Sequence, residues 1–449
     1  MNILQVSTTE HGGGAAQIPW DLHHAYRELG HQSVLAVGYL RGPHKINPYL
    51  FEIPNDRFRS RWSRLWYMMP AYLQRHRLRG ETRLRNALIP IAEPIRASSR
   101  AAGFEDFDFP ASRKLLDLIP ICPDVVHCHN LHGDYFDLRG LVELSQRAPT
   151  ILTLHDMWLL TGHCAHSFEC ERWRAGCGAC PDLSIYPAIK HDATSENWKT
   201  KQSIFTRSQL YVCAPCQWLI DKARQSMLKA REYRVIPYGI NLTIFRRESQ
   251  QKARLMLGLP ADAQILLFVA RRAQENIFKD YMTIERAIDL VAQSTNSRNV
   301  VFISLGGRKD RSDQIGKCHV YHYAFHGENK DVARFYQASD VFLHAARADT
   351  YPITVLEAQA CGVPVVATRV GGIPEQVQDE TTGFLVARGD ADAMAYRTLQ
   401  LLEDDDLRQR MAAVAAITAR ERFDLRRQVS DYVSWYEEIV SQRTRVSHD

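Results

Sequence analysis

Strand-length apolar runs alternate with helix-period segments along nearly the whole chain. The series opens with Asn2-Ile3-Leu4-Gln5-Val6-Ser7, a buried-strand run, followed by a loop holding Gly12, Gly13 and Gly14. Ala15, Ile18, Leu22, Ala25, Tyr26 and Leu29 then recur at helical spacing, Gly30 ends the helix, and Ser33 to Val37 is a second strand. Strand, glycine loop, helix, strand is the opening unit of a parallel sheet. The same reading makes strands of residues 124–129, 150–155, 209–213 and 234–239. A second set begins near Gln264: strands at 265–270, 300–305, 341–345 and 363–368, with helices at 281–292, 331–338 and 354–361. The closing stretch, Ala391 to Ser441, is long, charged and helical in pattern. The fold class expected is therefore α/β. At roughly 150–200 residues per domain, 449 residues imply two of them.

Composition excludes several classes. The formal net charge of +5 is small for this length and does not by itself imply nucleic acid. No run of 18 apolar residues suggests a spanning helix. Met1 to Val6 is too short for the apolar core of a signal peptide, and no basic residue precedes it. The expected compartment is the cytoplasm. Ten cysteines in so long a chain are not a secreted disulfide scaffold.

The most specific stretch is Asp349-Thr-Tyr-Pro-Ile-Thr-Val-Leu-Glu357-Ala-Gln-Ala-Cys-Gly362-Val-Pro364-Val-Val-Ala-Thr, continuing to Gly371-Gly372-Ile-Pro-Glu375. A helix beginning near Ile353 and Thr354 offers unpaired N–H groups and the positive end of its dipole to an anion. Pro352 near its first turn forfeits no needed hydrogen bond. Glu357, one turn in, is placed to accept two ribose hydroxyls, and Asp349, ahead of the helix, to hold sugar hydroxyls. This stretch resembles the donor signature of retaining GT-B glycosyltransferases of family GT4: two acids separated by seven residues, a G-x-P-V-V run, then a Gly-Gly-x-x-Glu loop. Val235-Ile-Pro-Tyr-Gly-Ile-Asn241, ahead of Phe245, is similar to that family's interdomain segment. The first acid is usually Glu there and is Asp here.

The resemblance implies two Rossmann-like doubly wound domains facing across a cleft. The boundaries expected are 1–235 for an N-terminal acceptor-side domain with insertions at 40–100 and 160–195, and 236–425 for a C-terminal domain that binds the nucleotide sugar. A last helix, 426–449, is expected to cross back to the first domain. The family places an Arg and a Lys after the first strand of its second domain, facing the leaving diphosphate. Here Lys279 matches the lysine, and Arg271, preferred to Arg272 by position, the arginine. Such fixed cations stabilise the charge that develops as the glycosidic bond breaks. The loop with Gly13 and Gly14 matches one that closes over donor phosphates and sugar. His129, with His155 second, matches a histidine that contacts donor sugar or acceptor. The donor substrate implied is a nucleoside-diphosphate sugar and the acceptor a saccharide or lipid-linked glycan. No catalytic metal is expected, because the leaving phosphate oxygen takes the acceptor's proton.

Two segments stand apart. Cys164, Cys170, Cys177 and Cys180 cluster in a stretch that also holds His163 and His166. A structural zinc held by these four cysteines, a disulfide or redox pair, and reduced packing cysteines all remain open. From Asp56 to Arg100, eleven arginines stand against three acids, interleaved with Trp62, Trp66, Tyr67, Met68, Met69 and Tyr72. That composition suits either an anionic lipid surface, making the protein peripheral on the cytoplasmic membrane face, or a solvated insertion. Nucleic-acid binding has no supporting motif. Two other functions compete with sugar transfer to a cell-surface polysaccharide. One is a sugar-nucleotide epimerase or hydrolase of the same fold. The other is a non-catalytic glycan-binding protein with a decayed donor site.

Overall fold

The computed structural model describes residues 1–10, 12–40, 47–76, 80–294, 299–325 and 327–446. It divides into two compact units. The first comprises Met1–Ala214, Leu219–Ile236 and Asp431–Asp449; the second comprises Pro215–Trp218 and Pro237–Ser430.

The first unit is built on β1 (Asn2–Thr9), β2 (Gln32–Tyr39), β3 (Leu50–Glu52), β4 (Val125–His129), β5 (Thr150–Thr153), β6 (Leu210–Ala214) and β7 (Glu232–Val235). They form one sheet in the order β3-β2-β1-β4-β5-β6-β7, and every pair is parallel. Parallel sheets are covered on both faces, so their strands are apolar throughout rather than alternating. β4, β5 and β6 are accordingly buried at every position. The winding reverses between β1 and β4, and in such sheets ligands gather at the carboxyl ends of the strands flanking the reversal.

The second unit repeats the scheme with β8 (Gln264–Val269), β9 (Val300–Gly307), β10 (Arg311–Ile315), β11 (Cys318–Ala324), β12 (Val341–His344), β13 (Val365–Thr368) and β14 (Gly383–Val386). Their order is β10-β11-β9-β8-β12-β13-β14. All pairs are parallel except the β10–β11 hairpin. Here the reversal falls between β8 and β12. The α/β, doubly wound class read from the sequence is what the chain builds.

Three features were not legible in the apolar pattern. Residues 40–100, which break the alternation, form β3 and the helices Arg61–Arg75, Glu81–Ala92 and Pro94–Ala101; Arg77 and Arg79 lie outside the described residues. The β10–β11 hairpin was missed because only β11 alternates in burial. The closing helical stretch is three helices, Ala391–Glu403, Asp405–Arg422 and Leu425–Val446. Asp390 and Asp404 cap the first two, each carboxylate accepting a backbone N–H at 2.8 Å.

Candidate functional site

The second unit gathers its charged residues at its reversal point. Lys279 follows β8 and Asp349 follows β12. The backbone at 278–280 is tied to the end of β12: Asp280 N–H donates to the Ala345 carbonyl at 3.2 Å, and Arg347 N–H to the Phe278 carbonyl at 2.9 Å. That double tie delivers the Lys279 ammonium to the Asp349 carboxylate, with which it forms an ion pair. His344, the last residue of β12, lies beneath the pair. Its Nε2 is 3.3 Å from Asp349 Oδ2 and 3.4 Å from Lys279 Nζ. Burial, then the Lys279 charge, push the His344 pKa down to about 4. The imidazole is therefore neutral at pH 7. Burial alone would raise the Asp349 carboxyl, but Lys279 and His344 outweigh it and hold it well below the usual carboxylate range.

The Ile353–Ala360 helix starts four residues beyond Asp349, with Pro352 as its N-cap and no side-chain cap. Ile353 and Thr354 occupy its first turn, and Thr354 Oγ1 is buried without a hydrogen-bond partner. Glu357 accepts a hydrogen bond from the Tyr336 hydroxyl at 2.7 Å. Tyr336 is fully buried and fixes that carboxylate from below. Arg271 and Arg272 are exposed just after β8. The Arg271 guanidinium lies 5.4 Å from the Phe325 ring centroid, while Arg272 takes the left-handed backbone (φ 49°) of the turn.

The Gly-Gly-x-x-Glu loop acts through packing. Gly371 has φ +55°, and a Cβ there would sit 1.7 Å from the Asp349 carbonyl oxygen. Gly372 N–H donates to the Thr350 carbonyl at 2.9 Å. The loop thus clamps the segment that presents Asp349. The Glu375 carboxylate accepts the N–H groups of Gln217 and Trp218, at 2.7 and 2.8 Å, and is spent on capping a helix. Gly371→Ala is expected to destabilise the second unit by about 3 kcal/mol or more, since strain and a backbone clash act together. Equilibrium unfolding of wild type and variant checks it, and a loss under about 1 kcal/mol would contradict the clamp.

The first unit also gathers its polar residues near its reversal point. Gly12, Gly13 and Gly14 are exposed after β1, and Gly13 is the N-cap of the Gly14–Glu28 helix. Its φ of +147° favours glycine, and nothing lies within 4 Å of where a Cβ would be. The histidines divide by burial. His127 and His129 share a face of β4, with ring centroids 4.0 Å apart. His127 Nδ1 meets the Tyr436 hydroxyl at 2.6 Å. His129 Nδ1 meets His155 Nε2 at 3.1 Å, while its Nε2 is buried and unpartnered. His129, matched on sequence to a ligand-contacting histidine, is fully buried. His132, which the sequence reading passed over, is less enclosed and pairs with Asp156 at 2.8 Å. With Asp134, Arg100, Phe109 and Trp158 it lines a cavity of about 490 Å³ between the sheet end and the inserted helices.

Burial pushes His127 down to about 3 and His155 to about 4. In the unfolded chain both titrate near 6.5, so below that pH the unfolded state binds more protons. Stability is then full above about pH 6.5 and falls as pH drops toward the folded values. Each group contributes about 1.4 kcal/mol per pH unit. Urea unfolding at a series of pH values should show this slope between about pH 6 and 4, and a flat profile there would refute it.

The cysteine cluster departs from one of its readings. Among the described residues no group of three or more His, Cys, Asp or Glu side chains could hold a metal ion. The zinc expected from Cys164, Cys170, Cys177 and Cys180 is therefore not supported. All ten cysteines are free, so no disulfide forms either. The four line one small cavity, and two of them turn their sulfurs to neighbouring groups. Cys177 Sγ accepts the Gly162 N–H at 3.3 Å, and Cys180 Sγ lies 3.4 Å from His163 Nε2.

Residues 249–417 match the family model described as glycosyl transferases group 1. Over 401 residues the chain is 25% identical to the glycosyl transferase WcaC of Escherichia coli (strain K12), named for colanic acid biosynthesis, covering 84% of this chain and 85% of that one. In fold it is similar to the sucrose-phosphate synthase of Thermosynechococcus elongatus, with TM-score 0.65, 17% identity, and coverage of 98% and 100%. HepE of Anabaena, solved with UDP and glucose, gives TM-score 0.60 at 16% identity over 97% and 99%. Both are likenesses of the GT-B fold, and that fold, the family match and the full-length relative agree: residues 249–417 are a group 1 glycosyl transferase domain, and the chain is a glycosyltransferase that uses a nucleotide sugar.

Proposed function

We propose that the protein is a retaining glycosyltransferase that moves a sugar from a nucleoside diphosphate to a saccharide or lipid-linked glycan in cell-surface polysaccharide synthesis. The observation that carries this is the Lys279 ammonium held between Asp349 and His344 near the start of the Ile353–Ala360 helix. In this reading the donor diphosphate takes Lys279 and Arg271 as its cations and the N–H groups of Ile353 and Thr354 as its donors. Glu357, steadied by Tyr336, holds the ribose, and Asp349 a sugar hydroxyl. The bond from the anomeric carbon to the phosphate oxygen breaks. The acceptor oxygen bonds that carbon on the same face, and its proton passes to the leaving phosphate oxygen. No protein nucleophile takes part.

The first unit is read as the acceptor side, with Gly13 and Gly14 at its glycine loop and His129 set beneath the surface there. The WcaC likeness supports a polysaccharide role, and the UDP bound to HepE supports a nucleoside-diphosphate donor. Among the described residues no helix is long and apolar enough to cross a membrane, so contact with a lipid-linked acceptor would be made from the surface.

Thermal-shift measurements against UDP-, GDP- and dTDP-sugars test the donor reading. A rise in unfolding temperature with one nucleotide sugar, and none with its free sugar, is expected. If no nucleotide or nucleotide sugar stabilises the protein, the reading is wrong.

A further inference from the structure

The Arg61–Arg75 helix is apolar on two sides. Ser63, Tyr67 and Pro70 are buried on the first, against the Glu81–Ala92 helix and its end. The Ser63 hydroxyl donates to the Ala92 carbonyl at 2.9 Å, and the Tyr67 hydroxyl to Glu93 at 2.8 Å. The second side carries Trp62, Leu65, Met68, Met69 and Tyr72, which are 54–66% exposed. At about 100° per residue these five fall within an arc of roughly 120°. No other helix among the described residues leaves more than two large apolar side chains exposed. The Trp62 indole is held in place, donating to the Ile91 carbonyl at 2.9 Å and meeting the Trp66 ring edge-on.

Charge on this segment is sorted in the same way. Two of its acids are neutralised by arginines of the same segment: Asp56 pairs with Arg59 and Arg85, and the largely buried Glu93 side chain with Arg59 and Arg96. Arg57, Arg61 and Arg64 are exposed, and by helical position Arg61 falls inside the apolar arc. We infer that this face docks on an anionic bilayer, with its apolar side chains at the acyl boundary and its guanidinium groups on lipid phosphates. A second copy of the chain is a poorer occupant. A two-fold contact through this stripe would bring Arg61 and Arg64 of both copies together in a drying interface. The inference rests on the lipid-linked acceptor reading for its purpose only, because vesicle binding is read without donor or acceptor.

The test is co-sedimentation of the full chain with vesicles of phosphatidylcholine, alone or mixed with phosphatidylglycerol. Binding to the mixed vesicles that weakens with salt, and a blue shift of tryptophan emission, are expected. The variant Trp62→Ser/Leu65→Ser/Met69→Ser/Tyr72→Ser should lower the vesicle partition coefficient at least about tenfold. Arg61→Glu/Arg64→Glu should lower it on the mixed vesicles specifically. Circular dichroism of each variant should match wild type, since the changed side chains are exposed. Wild type remaining in the supernatant overturns the inference. So does a serine variant that binds as wild type does, or a wild-type dimer that the serine changes dissociate while no vesicle binding is seen. Stripe-dependent vesicle binding without any nucleotide-induced thermal shift would uphold the docking face and remove the donor reading instead.

Discussion

Lys279→Ala is expected to lower kcat/KM by about 10²- to 10³-fold, the usual effect of removing one preorganised group that faces developing charge. The ammonium is fixed from three directions. Its backbone is tied to β12, its charge meets Asp349, and its Nζ lies 3.4 Å from His344. A group so placed needs little rearrangement when charge grows on the departing phosphate, so its contribution is concentrated in the transition state. The loss should appear mostly in kcat, with nucleotide-sugar affinity falling less. Asp349 then loses its cation while still enclosed, and its carboxyl moves up toward the ordinary range and beyond. Lys279→Ala/Asp349→Asn separates the two effects by removing the stranded charge. Steady-state kinetics on both variants provides the check. Lys279→Ala activity within about threefold of wild type would mean that the diphosphate is not gripped there.

The largest stability effect is expected in the first unit, at Lys201. This side chain is fully buried on the Thr194–Arg207 helix. Its ammonium donates to Glu105 and to the Trp158 carbonyl, both at 2.8 Å, and to the Thr161 carbonyl at 3.0 Å. It also lies 3.9 Å from the Trp158 ring centroid. Lys201→Met keeps the length and removes the charge, leaving a buried carboxylate and two carbonyls without their donor. Breaking a buried pair from one side costs about 3–5 kcal/mol, a large share of a domain's net stability of about 5–15 kcal/mol. Lys201→Met/Glu105→Leu should recover much of it, because the stranded charge rather than the lost attraction dominates. Denaturant unfolding followed by tryptophan emission measures both. A double variant no better than the single one would assign the loss to packing around Trp158.

The amino-acid sequence alone settled those features that depend on residues close together along the chain. Most strands and helices of both units follow from local apolar period, and their parallel winding follows from the alternation of the two; β3, the helices between residues 61 and 101, the β10–β11 hairpin and β14 do not. The acid pair and helix start of 349–357 could be read directly, since their geometry is set within one turn-and-helix segment, whereas the clamp of Gly371 and Gly372 on Asp349 and Thr350 is made across β13. Tertiary structure decided the rest. His344 joins Lys279 across 65 residues, Tyr336 reaches Glu357 across 21, and Lys201 reaches Glu105 across 96. Nothing local marks such partners, because desolvation and pairing are sums over whatever the fold brings near. The same holds for the arginine-rich segment. Its composition left a lipid surface and a solvated insertion equally open, and only the burial of Arg59 beside Glu93 and the exposure of Trp62 and Leu65 separate the structural charges from the surface stripe. It also holds for the four cysteines, whose spacing suited zinc until folding turned two of the sulfurs to Gly162 and His163.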